Sequence, residues 1–461
     1  MDPIQETTPF ISLQCSVFAH CLARGSTFLL YHSILMGLLR VDRDAYDVYR
    51  MFDGGTNLHQ VLARHPQCGA YIQELVRKGF LVRTGIDELT DYRKAARRSD
   101  TPDLDIMYIL STDSCNFRCG YCFIENDMGD FYRFSEMNLD TLKKGVDFFQ
   151  AHARKSETGP VVIFYGGEPL LNRRVVTEGV KYIRNSHPDT VINLITNGSI
   201  MSPETVGILA DANVKVAVSL DGEKEAHDKA RKTVAGKGTF DDAVHTYRML
   251  QAAGVRMGIS FTIGSHNVDR LRDHLAYLVD AFQPEGIGMN FLLETEGVRK
   301  DLMVDIEYAT DKAIEGFAFL REKGIYEDRM MRKVKPFIEG KIHLKDCGAP
   351  GQQIVLAPDG DIGVCHGFLS SRRYFTYNIH RNPDPPLDEI FRDWYGRYPL
   401  QMDACADCIA LGICGGGCPY QSHVKEGSLW ALDKRMCMHN KKFVEWLLWD
   451  VGSESEHAVP R

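Results

Sequence analysis

Between residues 105 and 293 the chain alternates two hydrophobic periods. Apolar, β-rich runs stand at 105–111 (DIMYILS), 161–165 (VVIFY), 191–196 (VINLIT), 214–220 (VKVAVSL), 257–263 (MGISFTI) and 286–293 (GIGMNFLL). Helical patterns separate them: Leu139, Leu142, Val146 and Phe149 share one face, as do Val268, Leu271, Leu275, Leu278 and Phe282. Six strands alternating with helices predict a parallel α/β sheet, either open and doubly wound or closed into a partial barrel. Upstream, STFLLYHS and LMGLLRVD read as β-type runs and AYDVYRMF and YIQELVRKGFLV as helical, with a break at Asp53-Gly54-Gly55. This is the pattern of a small hairpin with helices, a winged-helix-like unit. The charged stretch from Asp87 to Asp103, which contains Pro102, reads as an exposed connection. Beyond about residue 340 the alternation gives way to short Gly- and Cys-rich segments and a final apolar helix, NKKFVEWLLW. The expected units are 1–100, 101–330 and 331–461.

A length of 461 residues suits about three domains, and 44% hydrophobic with 25% charged residues is the balance of an ordinary globular protein. The 54 basic against 62 acidic residues leave a net charge of -8, so nothing global favours a nucleic-acid backbone or an anionic membrane. Phe28 to Leu39 is the longest apolar stretch and is too short to span a bilayer. The start, MDPIQETTPF, lacks the features of a signal peptide. The expectation is a cytoplasmic protein with neither a nucleic-acid nor a membrane partner.

Thirteen cysteines then change the picture, because thiolates in a reducing compartment more often hold metal than form disulfides. Three stand together at Cys115, Cys119 and Cys122, seven lie between Cys347 and Cys437, and Cys15, Cys21 and Cys68 read as small buried hydrophobes. The first group directly follows the first core strand, at the carboxyl edge where a βα barrel builds its chemistry. Three thiolates leave one iron of a four-iron cubane open, whereas a structural zinc site wants a fourth protein ligand that this loop lacks.

The C-x3-C-x2-C spacing, with aromatic Tyr121 before its third cysteine, resembles the cluster motif of the radical S-adenosylmethionine (radical SAM) superfamily. The second strand ends in Gly166-Gly167-Glu168-Pro169, which resembles the family's GGEP motif. The third ends in Thr196-Asn197-Gly198 and the fourth in Ser219-Leu-Asp221-Gly222, with Arg231 beyond. The resemblance, over about 105–330, implies a TIM-like (βα)6 barrel and a 4Fe-4S cluster on Cys115, Cys119 and Cys122. It also implies reductive cleavage of S-adenosyl-L-methionine (SAM) to a 5'-deoxyadenosyl radical that abstracts a substrate hydrogen. By the same resemblance Gly166 to Pro169, with the carboxylate of Glu168, hold the methionine amino group; Asn197 belongs to the same cofactor edge. Ser219 and Asp221 approach the ribose, and Arg231 approaches the methionine carboxylate.

The spacing Cys347-x12-Gly360-x4-Cys365, then Cys405-x2-Cys408-x5-Cys414-x3-Cys418, then Cys437 resembles the SPASM domain of peptide-modifying radical SAM enzymes. That resemblance implies two auxiliary 4Fe-4S clusters, one on Cys405, Cys408, Cys414 and Cys437 and one on Cys347, Cys365 and Cys418. The second set is one thiolate short, so an iron is open, to a substrate thiolate for instance, or is held by another group. The Cys405-x2-Cys408 spacing also suits a zinc knuckle. His366 stands where sulfatase-maturing relatives carry an aspartate base, and a histidine there is able to accept a proton near neutral pH.

The N-terminal pattern resembles the PqqD-like leader-recognition element of maturases acting on ribosomally made peptides. Such a unit adds an extended leader peptide to a sheet edge, here expected from Ser26 to Asp42. A DNA-binding winged helix is the competing reading, against which stand the few clustered basic residues. The implied function is a peptide maturase that forms a thioether or carbon-carbon crosslink, with a leader-bearing precursor peptide and a flavodoxin- or ferredoxin-type electron donor as partners. Alternatives are a sulfatase-type maturase, a peptide epimerase using Cys15, Cys21 or Cys68 as hydrogen donor, and a non-catalytic zinc-bearing module.

Overall fold

The computed structural model describes residues 11–96, 102–124, 134–154, 159–295 and 297–454. The chain opens with β1 (Ser12–Cys15), β2 (Ala19–Arg24), β3 (Thr27–His32), β4 (Leu38–Val41), α1 (Arg43–Arg50), β5 (Thr56–Asn57), α2 (Leu58–Arg64), α3 (Gly69–Arg77), β6 (Leu81–Arg83) and α4 (Glu88–Ala96). Asp42 starts α1 by accepting the Ala45 N–H at 2.9 Å, and Asn57 caps α2 in the same way. Two antiparallel sheets, β2-β3-β4 and β5-β1-β6, enclose a core of Leu13, Leu30, Tyr49, Phe52, Ile72, Leu75 and Phe80. The edge expected from Ser26 to Asp42 is only partly an edge: β3 is paired on both sides, so β2 and the outer side of β4 are the open ones. The strand Ala19–Arg24 escapes pattern reading because its residues are half-buried or exposed throughout, without a clean alternation.

The core follows as β7 (Ile106–Leu110), α5 (Leu139–His152), β8 (Val161–Tyr165), α6 (Arg173–Ser186), β9 (Val191–Thr196), α7 (Pro203–Asp211), β10 (Lys215–Ser219), α8 (Lys224–Ala230), α9 (Phe240–Ala252), β11 (Arg256–Ile263), α10 (Leu271–Phe282), β12 (Gly286–Phe291), α11 (Ile306–Glu322), β13 (Tyr326–Glu327) and α12 (Asp328–Glu339). Then come β14 (Gln353–Leu356), β15 (Asp361–Gly363), β16 (Phe375–Asn378), α13 (Leu387–Ile390), α14 (Leu411–Cys414), α15 (Pro419–Glu426) and α16 (Lys434–Glu454). One ten-stranded sheet runs β13-β12-β11-β10-β9-β8-β7-β14-β15-β16, parallel from β13 to β14.

Burial decides between the two sheet types. Met107, Ile109, Val162, Phe164, Leu194, Val216, Ile259, Phe261 and Met289 are buried under the helices. The alternate positions Tyr108, Tyr165, Ile195, Ala217, Ser260, Thr262 and Asn290 stay half-buried. A doubly wound sheet buries both faces. This one keeps an accessible inner face and is a partial barrel whose two edge strands do not pair. The six expected strands are present, and β13 and β14 extend them. The second of these covers the outer side of β7, whose backbone groups would otherwise lack partners.

The connection expected after Asp87 is a helix for most of its described length. In α4, Leu89, Tyr92 and Ala96 pack with Phe18, Ile34, Tyr398, Leu400 and Leu411. Arg93 donates to Leu400 O at 2.7 Å and pairs with Asp403 at 2.6 Å. Residues 97–101 of that connection lie outside the described residues.

Candidate active site and cysteine centres

The carboxyl ends of β7 to β10 meet at one edge. After β7 the chain runs through Cys115, Cys119 and Cys122, and this loop is pinned by main-chain bonds from Arg118 N to Lys232 O (2.7 Å) and Gly120 N to Ala230 O (2.9 Å). After β8, a Cβ on Gly166 would meet Thr112 O at 2.3 Å and one on Gly167 would meet Ser114 O at 2.0 Å. Both obstacles are backbone, so only glycine lets the two loops approach this closely. Pro169 opens a short 3-10 turn capped by Glu168, which accepts from Leu170 N at 3.1 Å.

Glu168 is 1% exposed and also accepts from Thr196 Oγ1 and Asn197 N, each at 2.7 Å. Burial pushes its carboxyl up to about 7, against the pull of those donors. Asn197 in turn reaches Asn116 Oδ1 at 3.0 Å and Cys115 Sγ at 3.8 Å. The sequence does not announce this stitch between strands two, three and the cysteine loop, because its members are far apart along the chain.

Asp221 is fully buried. It accepts from Arg231 Nε at 2.8 Å, Arg231 Nη2 at 3.2 Å, Thr262 N at 2.9 Å and the Tyr121 hydroxyl. Burial works to raise its pKa, but Arg231 and then His266 outweigh it and hold the carboxyl well below the usual range. Both oxygens are therefore engaged, which places Asp221 beneath Arg231 at the strand-end edge where the resemblance expects a ribose. The reason is physical: a carboxylate this deep needs a fully paired cation and donors. Tyr121 lies between the Arg231 guanidinium, 5.3 Å from its ring centre, and the stacked His266 ring at 5.9 Å. Ser219 ends β10 beside this group, buried. His266 was not foreseen; it sits in the β11–α10 loop with no motif to mark it.

His366 faces the barrel's inner side among Tyr108 (4.9 Å between ring centres), Tyr165 (5.1 Å) and Phe123 (5.7 Å). Burial, helped by Arg329, lowers its pKa to about 4, so the ring is neutral near pH 7. Its Nδ1 is buried and has no hydrogen-bond partner among the described residues.

The C-terminal cysteines fall into two neighbourhoods. Cys347, Cys365 and Cys418 lie within range of one another's charge, as do Cys405, Cys408, Cys414 and Cys437. Burial pushes the thiols of Cys365 and Cys437 up to about 12, with neighbouring thiols adding to it. Cys347 and Cys365 lie toward the amino ends of β7 and β14. Gly363 pairs with Val355, which lies beside Tyr108, and Gly351 O and Gln352 O accept from Asp103 N and Asp105 N. Cys115 is at the opposite end of β7. Cys15 and Cys68 pack in the N-terminal core and Cys21 is exposed on β2, so none of the three stands at the strand ends.

Among the described residues, no three His, Cys, Asp or Glu side chains converge as they would around one metal ion. The donor set does fit iron-sulfur clusters, which spread thiolates over several irons and take hydrogen bonds to sulfur. Phe117 N lies 3.4 Å from Cys115 Sγ, Gln421 N 3.5 Å from Cys418 Sγ and Asn440 Nδ2 3.1 Å from Cys414 Sγ.

Residues 109–278 match the model of the Radical SAM superfamily. The radical SAM cyclopropyl synthase TigE of Paramaledivibacter caminithermalis is 21% identical over 452 residues, covering 92% of this chain and 93% of that one. A cysteine-type anaerobic sulfatase-maturating enzyme of Clostridium perfringens is 21% identical, over 75% of this chain and 96% of its own. The structure of Streptococcus suis SuiB bound to precursor peptide SuiA superposes with a TM-score of 0.57 at 14% identity, covering 92% of this chain and 99% of that one.

Proposed function

We propose, from the premise that residues 109–278 are a Radical SAM superfamily domain, that the chain is a SAM-cleaving enzyme that modifies a ribosomally made precursor peptide by closing a crosslink. The observation that carries this reading is the convergence of the Cys115–Cys122 loop, Glu168, Asn197 and the Asp221–Arg231 pair at one edge of an open-faced barrel. Cys115, Cys119 and Cys122 would hold a 4Fe-4S cluster, which would supply the electron for reductive cleavage of SAM. Gly166 to Pro169 and Glu168 hold the methionine amino group, Arg231 takes the carboxylate with Asp221 fixing its direction, and Ser219 serves the ribose. Cys347, Cys365 and Cys418 would hold one auxiliary 4Fe-4S cluster and Cys405, Cys408, Cys414 and Cys437 another, which would provide an acceptor for the electron that bond closure releases.

Of the two bond types, carbon-carbon closure draws support from the near full-length likeness to a cyclopropyl synthase. The peptide lies along the half-buried inner face beside His366, whose lowered pKa speaks against the expected proton-accepting role near neutral pH, and the leader adds to the open edge of β2 or β4. A flavodoxin- or ferredoxin-type protein supplies the first electron. Sulfatase-type maturation remains the second reading, favoured by the match to such an enzyme.

Anaerobically reconstituted protein is expected to hold about 12 iron atoms per chain, four for each of three cubanes. It should release 5'-deoxyadenosine from SAM, whereas the Cys115→Ala, Cys119→Ala, Cys122→Ala triple variant should release none. Persistent SAM cleavage by the triple variant would sink the assignment.

A further inference from the structure

Arg397 is one of the largest fully buried side chains, 1% exposed, and among the described residues it forms no ion pair. Its donors end on neutral oxygens: Nε on Leu429 O, Nη1 on Gly416 O at 3.0 Å, and Nη2 on Ser422 Oγ at 3.1 Å and Ala431 O at 3.2 Å. Four hydrogen bonds satisfy the guanidinium as a donor but do not neutralise it. An uncompensated charge in a protein interior costs several kcal/mol or more, so burial without an anion calls for one. The ionisable groups within range are the thiols of Cys347, Cys418 and Cys414 and the carboxyl of Asp433. Asp433 accepts from Cys418 N at 3.2 Å and Met436 N at 3.2 Å, so its oxygens face the cysteine backbone rather than the arginine.

The position is as informative as the charge. Gly416 lies between Cys414, in the four-cysteine set, and Cys418, in the three-cysteine set, and Ser422 Oγ donates to Cys418 O at 3.0 Å. Arg397 thus holds the turn that both sets share.

We infer that Arg397 is a positioning residue for the two auxiliary centres, supplying from one point the positive charge that both anionic thiolate clusters require and setting their reduction potentials together. The inference rests on the cluster reading above. In the reaction, the peptide loses one hydrogen atom to the 5'-deoxyadenosyl group, and bond closure then releases one proton to a base and one electron to an auxiliary centre. Arg397 neither gains nor loses atoms; its charge favours the reduced, more negative state.

The test is a potentiometric titration, followed by electron paramagnetic resonance, of the full-length reconstituted protein, its Arg397→Gln variant and its Arg397→Lys variant. The SAM-binding cluster serves as internal reference. Gln keeps donors and removes the charge; Lys keeps the charge and loses the fork. Arg397→Gln should lower both auxiliary potentials on the scale of a tenfold change in the reduction equilibrium, 59 mV for one electron, with the reference unmoved. Arg397→Lys should stay within threefold of the parent. Unmoved auxiliary potentials in Arg397→Gln at full iron loading overturn the inference, as does an equal shift in both variants, which marks a hydrogen-bond staple. Should Arg397→Gln fail to load the auxiliary centres, Arg397→Lys decides alone: normal iron and potentials support the inference, and loss of the centres with the charge retained overturns it. Parent protein with only about four iron atoms overturns both the inference and the three-cluster reading, which separates that failure from the others.

Discussion

Glu168 carries an acid in a place that disfavours its charge, and this has a pH signature. Its pKa is about 7 in the folded chain against 4.5 for the ordinary group. Between those values the folded state binds a proton that the unfolded state has released, so stability falls as pH rises through the window and levels off above it. The difference amounts to at most about 3 kcal/mol. Denaturant unfolding at pH 5 and pH 7.5 should show this loss in the parent and its absence in Glu168→Gln; equal pH dependence in both chains would refute it. The same side chain shows what a sequence conceals at this scale. GGEP marks Glu168 as part of a site, but its donors Thr196 and Asn197 become neighbours only once β8 and β9 pair. Asp221 and His266 follow the same rule: a carboxylate's partners are chosen by depth and by loops from elsewhere, so the contacts of Asp221 with Arg231, Tyr121 and Thr262 leave no mark in one dimension.

At the scale of elements, the strands of the barrel were legible because each is a short apolar run bounded by polar residues, and β7 to β12 fall within a residue or two of the expected limits at every end. α4 was not legible. Its polar composition resembles a linker, and Leu89, Tyr92 and Ala96, spaced three and four apart, are the sole trace of the face that docks on Leu400 and Leu411. The edge of Tyr92 packs on Phe18 at 5.3 Å between ring centres. Replacing Tyr92 with Ala should cost about 2 kcal/mol, below the range for a fully buried aromatic because the ring is half-exposed. Thermal unfolding of the reconstituted chain checks the figure, and an unchanged midpoint would mean that α4 does not bear on this core.

At the scale of the molecule, the N-terminal unit and the last cysteine-bearing segment are joined by more than one route. Besides α4, the long helix α16 runs from Cys437 to the β2-β3-β4 sheet, where Arg24 lies over Trp449 at 4.5 Å. Removing residues 1–101 should therefore strip support from the C-terminal cysteines rather than from the barrel. The shortened chain should retain about four iron atoms and lose most of the remaining eight; full retention of iron would show that the two regions are independent. Pattern reading treated the three regions as beads in a row, because contacts across hundreds of residues leave no local periodicity. β14 is the plainest example, four residues from the far end of the chain that lie beside the first strand of the core.

That pairing makes β7 a ruler. Cys115 follows its carboxyl end and the Cys347–Cys365 neighbourhood lies toward its amino end, so the five-residue strand, about 17 Å of extended backbone, measures the length between them along β7. The loop folds back over that length: the Phe123 ring, next to Cys122, lies 5.7 Å from the His366 ring, next to Cys365, and 6.1 Å from the Tyr420 ring, near Cys418. If the two neighbourhoods hold clusters as proposed, an electron passing between them meets a short bridge of aromatic rings, Phe123 and His366, rather than open space.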